Sequence, residues 1–156
     1  METKTRTDAD MHRALGKELF NHTWRLLETG NRTREQDDEM IHAAHASRFH
    51  WGRVGGAVEL CRGEWQISRV YSVLGRGEPA VHHARRCLDI VEGNGIGGFD
   101  VAAANEGLAR AYATLGDIGS AREHARRARG AGATIDDEED RRIFEGDMAT
   151  LPSGIL

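Results

Sequence analysis

Two sets of side chains in this sequence have types and spacing suited to chemistry. Trp65 and Arg69 are matched 41 positions later by Glu106 and Arg110, so a guanidinium group recurs at a fixed interval. A guanidinium is a planar fork of N–H donors that fits a carboxylate or phosphate, and two on neighbouring elements suit an anion held between them. The plainer reading is that Glu106 simply pairs with Arg110 at i, i+4 on a solvated helix face. Histidine makes the second set, with His22, His42, His45 and His50 all falling between Asn21 and Trp51. On a helix, Glu39, His42 and His45 lie within about 120° of one another. Glu39 with His42 has the i, i+3 spacing of a Glu-x-x-His ligand pair. Such donors suit zinc, iron or manganese, with Glu64, Glu18, His22 or His83 as candidates from other helices. No second Glu-x-x-His pair and no His-Glu-x-x-His motif accompanies it. An imidazole beside a carboxylate also serves as general acid or base, which makes His42, His45 and Glu106 candidate catalytic groups. Against both stands the reading that His42 and His45 are exposed or bonded to nearby carboxylates.

These side chains are positioned by helices. Leu15, Leu19, Thr23, Leu26 and Leu27 form a stripe at helical spacing that ends at Gly30 and Asn31. A second helix opens on Glu35, Asp37, Asp38 and Glu39, where the macrodipole favours acidic groups, and packs through Met40, Ala44, Ser47 and Trp51. Ala57 to Leu74, Pro79 to Val91, Val101 to Leu115 and a stretch from Gly116-Asp117 to Gly130 read as helices three to six. Ile143, Phe144 and Met148 mark a seventh, stopped by Pro152. The expected organisation is a flexible 1–9, then a single helical domain over 10–156. Within it stand a helical pair 10–52, repeat one 57–92, repeat two 99–131 and a capping helix 136–150.

The period is the strongest signal. Ile67, Ser68, Tyr71, Leu74, Gly75, Ala80, Ala84 and Cys87 recur 41 positions on as Leu108, Ala109, Tyr112, Leu115, Gly116, Ala121, Ala125 and Ala128. Each set describes an apolar helix, a Gly-centred turn and a second helix with small residues. Such a unit buries its apolar face only by stacking on a neighbour, so the expected fold is all-α: an α-solenoid of stacked antiparallel hairpins with about seven helices. The small and large packing positions resemble those of a tetratricopeptide repeat over residues 61–132. The repeat departs from that family in its 41-residue period, in Glu64 and Asn105 at the early aromatic position, and in lacking the closing proline. The resemblance implies a binding scaffold with a concave inner face bearing Arg62, Trp65, Arg69, Glu106 and Arg110. The expected partner is then an acidic peptide or a small anion, and helices one and two either continue the superhelix or cover the groove. The alternative is a metal-dependent or acid-base enzyme centred on His42 and His45.

Bulk properties exclude other classes. The 156 residues carry 21 basic and 25 acidic side chains, mixed along the chain, which is not the one-sided basic footprint of a nucleic-acid binder. No apolar stretch approaches membrane-spanning length, so the expectation is a cytoplasmic, monomeric or homodimeric protein with reduced cysteines. Gly93-Asn94-Gly95-Ile96-Gly97-Gly98 matches a dinucleotide-binding pattern but follows a helix rather than a strand, and reads as a joint between repeats. Cys61 and Cys87 read as compact apolar residues. Arg122, Arg126, Arg127 and Arg129 read as a solvated face.

Overall fold

The computed structural model describes residues 7–156. Among them the chain forms α1 (Asp8–Leu27), α2 (Arg34–Val54), α3 (Ala57–Val73), α4 (Gly77–Gly93), α5 (Phe99–Leu115), α6 (Ile118–Gly132) and α7 (Glu138–Ala149), then a short 3-10 turn at Ser153–Ile155, with no strand. Most of the expected flexible terminus lies outside the described residues, but Asp8 and Ala9 are already helical.

Local chemistry sets the boundaries. Thr7 and Thr33 each cap a helix by accepting from the backbone three residues on, and Asp10 and Gln36 return the bond to the cap backbone. Asp117 and Asp137 cap α6 and α7 in the same acceptor role. The two hairpin turns repeat in detail. Gly75 and Gly116 both take positive φ, 74° and 92°, a conformation that costs glycine little. After each, the amide of Arg76 or Asp117 donates to the carbonyl of Tyr71 (2.8 Å) or Tyr112 (2.9 Å). The glycine-rich segment joins α4 to α5, again through glycines with positive φ at 95 and 98.

The helices pair as antiparallel hairpins α1–α2, α3–α4 and α5–α6, and each hairpin stacks on the next. Helix α3 also touches both α1 and α5, whereas α2, α4 and α6 have no comparable mutual contact. The first set therefore forms the tighter, inner layer. Buried alanines at 102, 104, 109 and 111 on α5 and at 121, 125 and 128 on α6 let the last hairpin close tightly, and Leu26, Ile67 and Leu108 fill equivalent places in successive hairpins. The arrangement is consistent with a helical repeat. Its closing element departs from simple stacking: α7 lies against α5 as well as α6. Phe144, Met148, Leu151 and Ile155 anchor it in the last core cluster.

Candidate functional site

Trp65, Arg69, Glu106 and Arg110 do converge, and the reason is internal charge pairing. Glu106 is 1% exposed. Its carboxylate accepts from Arg110 Nη2 at 2.7 Å and Nε at 2.9 Å, from Trp65 Nε1 at 3.2 Å and from Arg69 Nη1 at 3.4 Å. Helix α7 takes up what remains of both guanidinium groups. Arg69 Nη2 reaches Asp147 Oδ1 at 3.4 Å, and Arg110 donates to the Asp147 carbonyl at 3.0 Å and the Thr150 hydroxyl at 2.7 Å. Both arginine side chains are 13% exposed. Both arginines of the expected anion-binding fork are thus paired within the chain, by Glu106 of α5 and by Asp147 and Thr150 at the end of α7. Burial raises the Asp147 carboxyl, reinforced by Glu106 and opposed by Arg69 and Arg110.

The histidines lie elsewhere. Glu39 Oε2 sits 3.2 Å from His22, and His42 is exposed. His45 Nε2 lies 2.8 Å from the Tyr71 hydroxyl, and Tyr71 stacks on His83 with centroids 5.8 Å apart. His83 Nδ1 in turn lies 2.6 Å from buried Glu64, which also meets Arg48 and Arg86. Glu39, His42, His45 and Glu64 therefore do not share a centre. No group of three or more His, Cys, Asp and Glu among the described residues could hold a metal ion. Neither His42 nor His45 lines the cavity described below.

This histidine cluster recurs in the second hairpin. Forty-one positions after Glu64, Tyr71 and His83 stand Asn105, Tyr112 and His124. His124 Nδ1 is 3.0 Å from Asn105 Oδ1, and Tyr112 stacks on His124 at 5.5 Å. Arg85 bonds the Tyr112 hydroxyl from the preceding hairpin, as His45 bonds Tyr71. A polar contact made twice in one register is an architectural joint between hairpins. Burial would raise the Glu64 carboxyl, but His83, Arg48 and Arg86 outweigh it and hold it below the usual range. Burial lowers His45, assisted by His83, and lowers His124, assisted by Arg85 and Arg127.

The opening on the inner face is aromatic. A cavity of about 320 Å³ is walled by Phe20 and Trp24 of α1, Trp65 of α3 and Phe99 of α5. The two indoles lie 5.6 Å apart, tilted by 41°. Arg62 is the one cation of the lining, against the carboxylates Asp100, Asp140 and Asp147. Asp100 holds Arg62 at 3.0 and 3.2 Å, and Asp147 is held by Arg69. Asp140 forms no salt bridge among the described residues, and its charge acts on Arg62 at longer range. Cys61 and Cys87 close the lining from α3 and α4.

The sequence placed Phe20 and Trp24 only in the apolar stripe of the first helix and not in a site. The signal was present: they stand 41 positions before Cys61 and Trp65, so α1 continues the register of the later inner helices. The arginines of α6 are as expected, with Arg126 and Arg127 exposed and paired to Glu123. No helix among the described residues is long and apolar enough to cross a membrane. Compared with known proteins, the chain matches no family model, no curated protein and no solved structure.

Proposed function

We propose that this chain is a tetratricopeptide-like binding module that holds a small, apolar-bodied cation in the aromatic cavity of its inner face. The observation that carries the reading is that cavity, walled by four aromatic rings between α1, α3, α5 and α7. Its volume falls at the lower end of the roughly 300–1,000 Å³ range of small-molecule sites, and aromatic walls with a few placed polar groups are their usual composition. The charge supports a cation rather than the anion expected from the arginines. One guanidinium faces three carboxylates in the lining: Arg62 bonds Asp100 and feels Asp140 at longer range, and among the described residues Asp140 forms no salt bridge of its own. Indole faces add attraction for an ammonium group, about 0.5–2 kcal/mol.

Titration with phenethylamine, phenethyl alcohol and phenylacetate, followed by tryptophan fluorescence, tests this reading. The amine binds most tightly, and Asp140→Asn weakens it by about tenfold, the equivalent of roughly 1.4 kcal/mol. Preference for phenylacetate, or equal affinity for all three, contradicts it.

A further inference from the structure

We infer that Cys61 and Cys87 are a redox-active dithiol, built to close reversibly into a disulfide at the edge of the aromatic cavity. The two thiols come from the adjacent antiparallel helices α3 and α4, are 1% and 2% exposed, and belong to the same core cluster. The helices around them are in intimate contact: the Ser68 hydroxyl on α3 donates to the Ala80 carbonyl on α4 at 2.8 Å. Backbones that close are what a disulfide requires, with Cα atoms about 4.4–6.8 Å apart.

Packing alone does not account for the pair, and the second hairpin supplies the comparison. Forty-one positions after Cys61 and Cys87 stand Ala102 and Ala128, both fully buried. Alanine therefore fills the same crossing in α5 and α6, and the sulfur atoms are the feature particular to α3 and α4. Both cysteines also line the cavity, which gives a small oxidant a route to buried sulfur.

The surroundings divide the roles. The hydrogen bond with Cys87 lowers the Cys61 thiol, against burial and the Asp100 charge, with help from Arg62. Cys87 is pushed well up by that bond and by burial. Cys61, next to Arg62 with both side chains on the cavity wall, takes the nucleophile's part, since a neighbouring guanidinium favours the reactive thiolate. It attacks one oxygen of hydrogen peroxide, the O–O bond breaks, and sulfenic acid forms as hydroxide leaves and takes up the displaced proton as water. Cys87 then attacks the Cys61 sulfur, its proton leaving with the hydroxyl group as a second water. Two thiols and one peroxide yield one disulfide and two waters.

The test uses the wild-type protein without denaturant, oxidised by equimolar hydrogen peroxide and read by intact mass and peptide mapping. The expected product is a monomer that has lost two hydrogens, with Cys61 linked to Cys87 and both thiols regained in dithiothreitol. Cys87→Ser stops at a sulfenic acid on Cys61 that dimedone labels, whereas Cys61→Ser leaves Cys87 unlabelled over the same period. Native thiols that resist oxidation until guanidinium unfolds the chain overturn the inference, as do crosslinked dimers or labelling of Cys87 first. The Cys61→Ala/Cys87→Ala variant, which copies the second hairpin, keeps the wild-type melting temperature. A collapse of its stability assigns the thiols to packing and overturns the argument from the repeat.

Discussion

Replacing Glu106 by Gln removes one negative charge and almost no volume. The carboxylate is 1% exposed and holds two guanidinium groups and an indole N–H. Glutamine keeps one acceptor oxygen but leaves Arg69 and Arg110 with Asp147 as the remaining charge partner. Breaking a buried ion pair on one side costs about 3–5 kcal/mol, because the stranded charge stays desolvated. Asp147 and the Thr150 contacts offset part of that, so the expected loss is about 3 kcal/mol at neutral pH. For a domain of this size that shifts the melting temperature by about 6–12 °C. Urea unfolding monitored by circular dichroism measures the loss directly. Arg69→Met destabilises the wild type but recovers stability in the Glu106→Gln background, since it removes a guanidinium whose partner is gone. A Glu106→Gln loss below about 1 kcal/mol, the value of an exposed pair, refutes the claim that this cluster is a buried seal. Glu123→Gln, which breaks exposed pairs on α6, is the control and leaves the unfolding curve unchanged.

Three further outcomes follow from the packing and the buried histidines. His45 and His124 titrate below the ordinary 6.5, so the unfolded chain takes up protons first as pH falls. Stability is complete above about pH 6.5 and declines below it; melting temperatures recorded across that window show the decline, and His124→Gln flattens it. A Cβ added at Gly77 would stand 2.5 Å from the Leu115 Cα. Gly77→Ala therefore costs about 1–3 kcal/mol in thermal unfolding, whereas Gly130→Ala, with open space around it, does not destabilise the protein. Ala103→Leu partly fills the cavity and lowers phenethylamine affinity at least about tenfold, with circular dichroism unchanged.

The scaffold was legible because its information is local and repeated. Gly75 and Gly116 announced the turns, the acidic run from Glu35 to Glu39 announced α2, and the 41-residue interval announced equivalent helices. The site was less legible because it depends on pairings across the fold. Arg69 meets Asp147 over 78 residues, and no periodicity within either helix encodes that approach. Glu106 appears on a helical wheel as one more charged residue. Only the placement of α7 against α5 makes it the buried hub of two arginines. The histidine stripe of α2 misled for a related reason. Proximity in sequence suggested shared ligands, while Glu39 turns to His22 on α1 and His45 to Tyr71 on α3. Trp24 was the recoverable loss, since its distance from Trp65 equals the repeat interval.

The aromatic cavity is tested most directly by the three indole N–H signals of the protein in a phenethylamine titration. Trp24 and Trp65 wall the cavity, whereas Trp51 packs beside Gly16 and Arg13 away from it. The account predicts saturable movement of the Trp24 and Trp65 signals with Trp51 stationary. Movement of Trp51 alone, or no saturable movement at any indole, contradicts it.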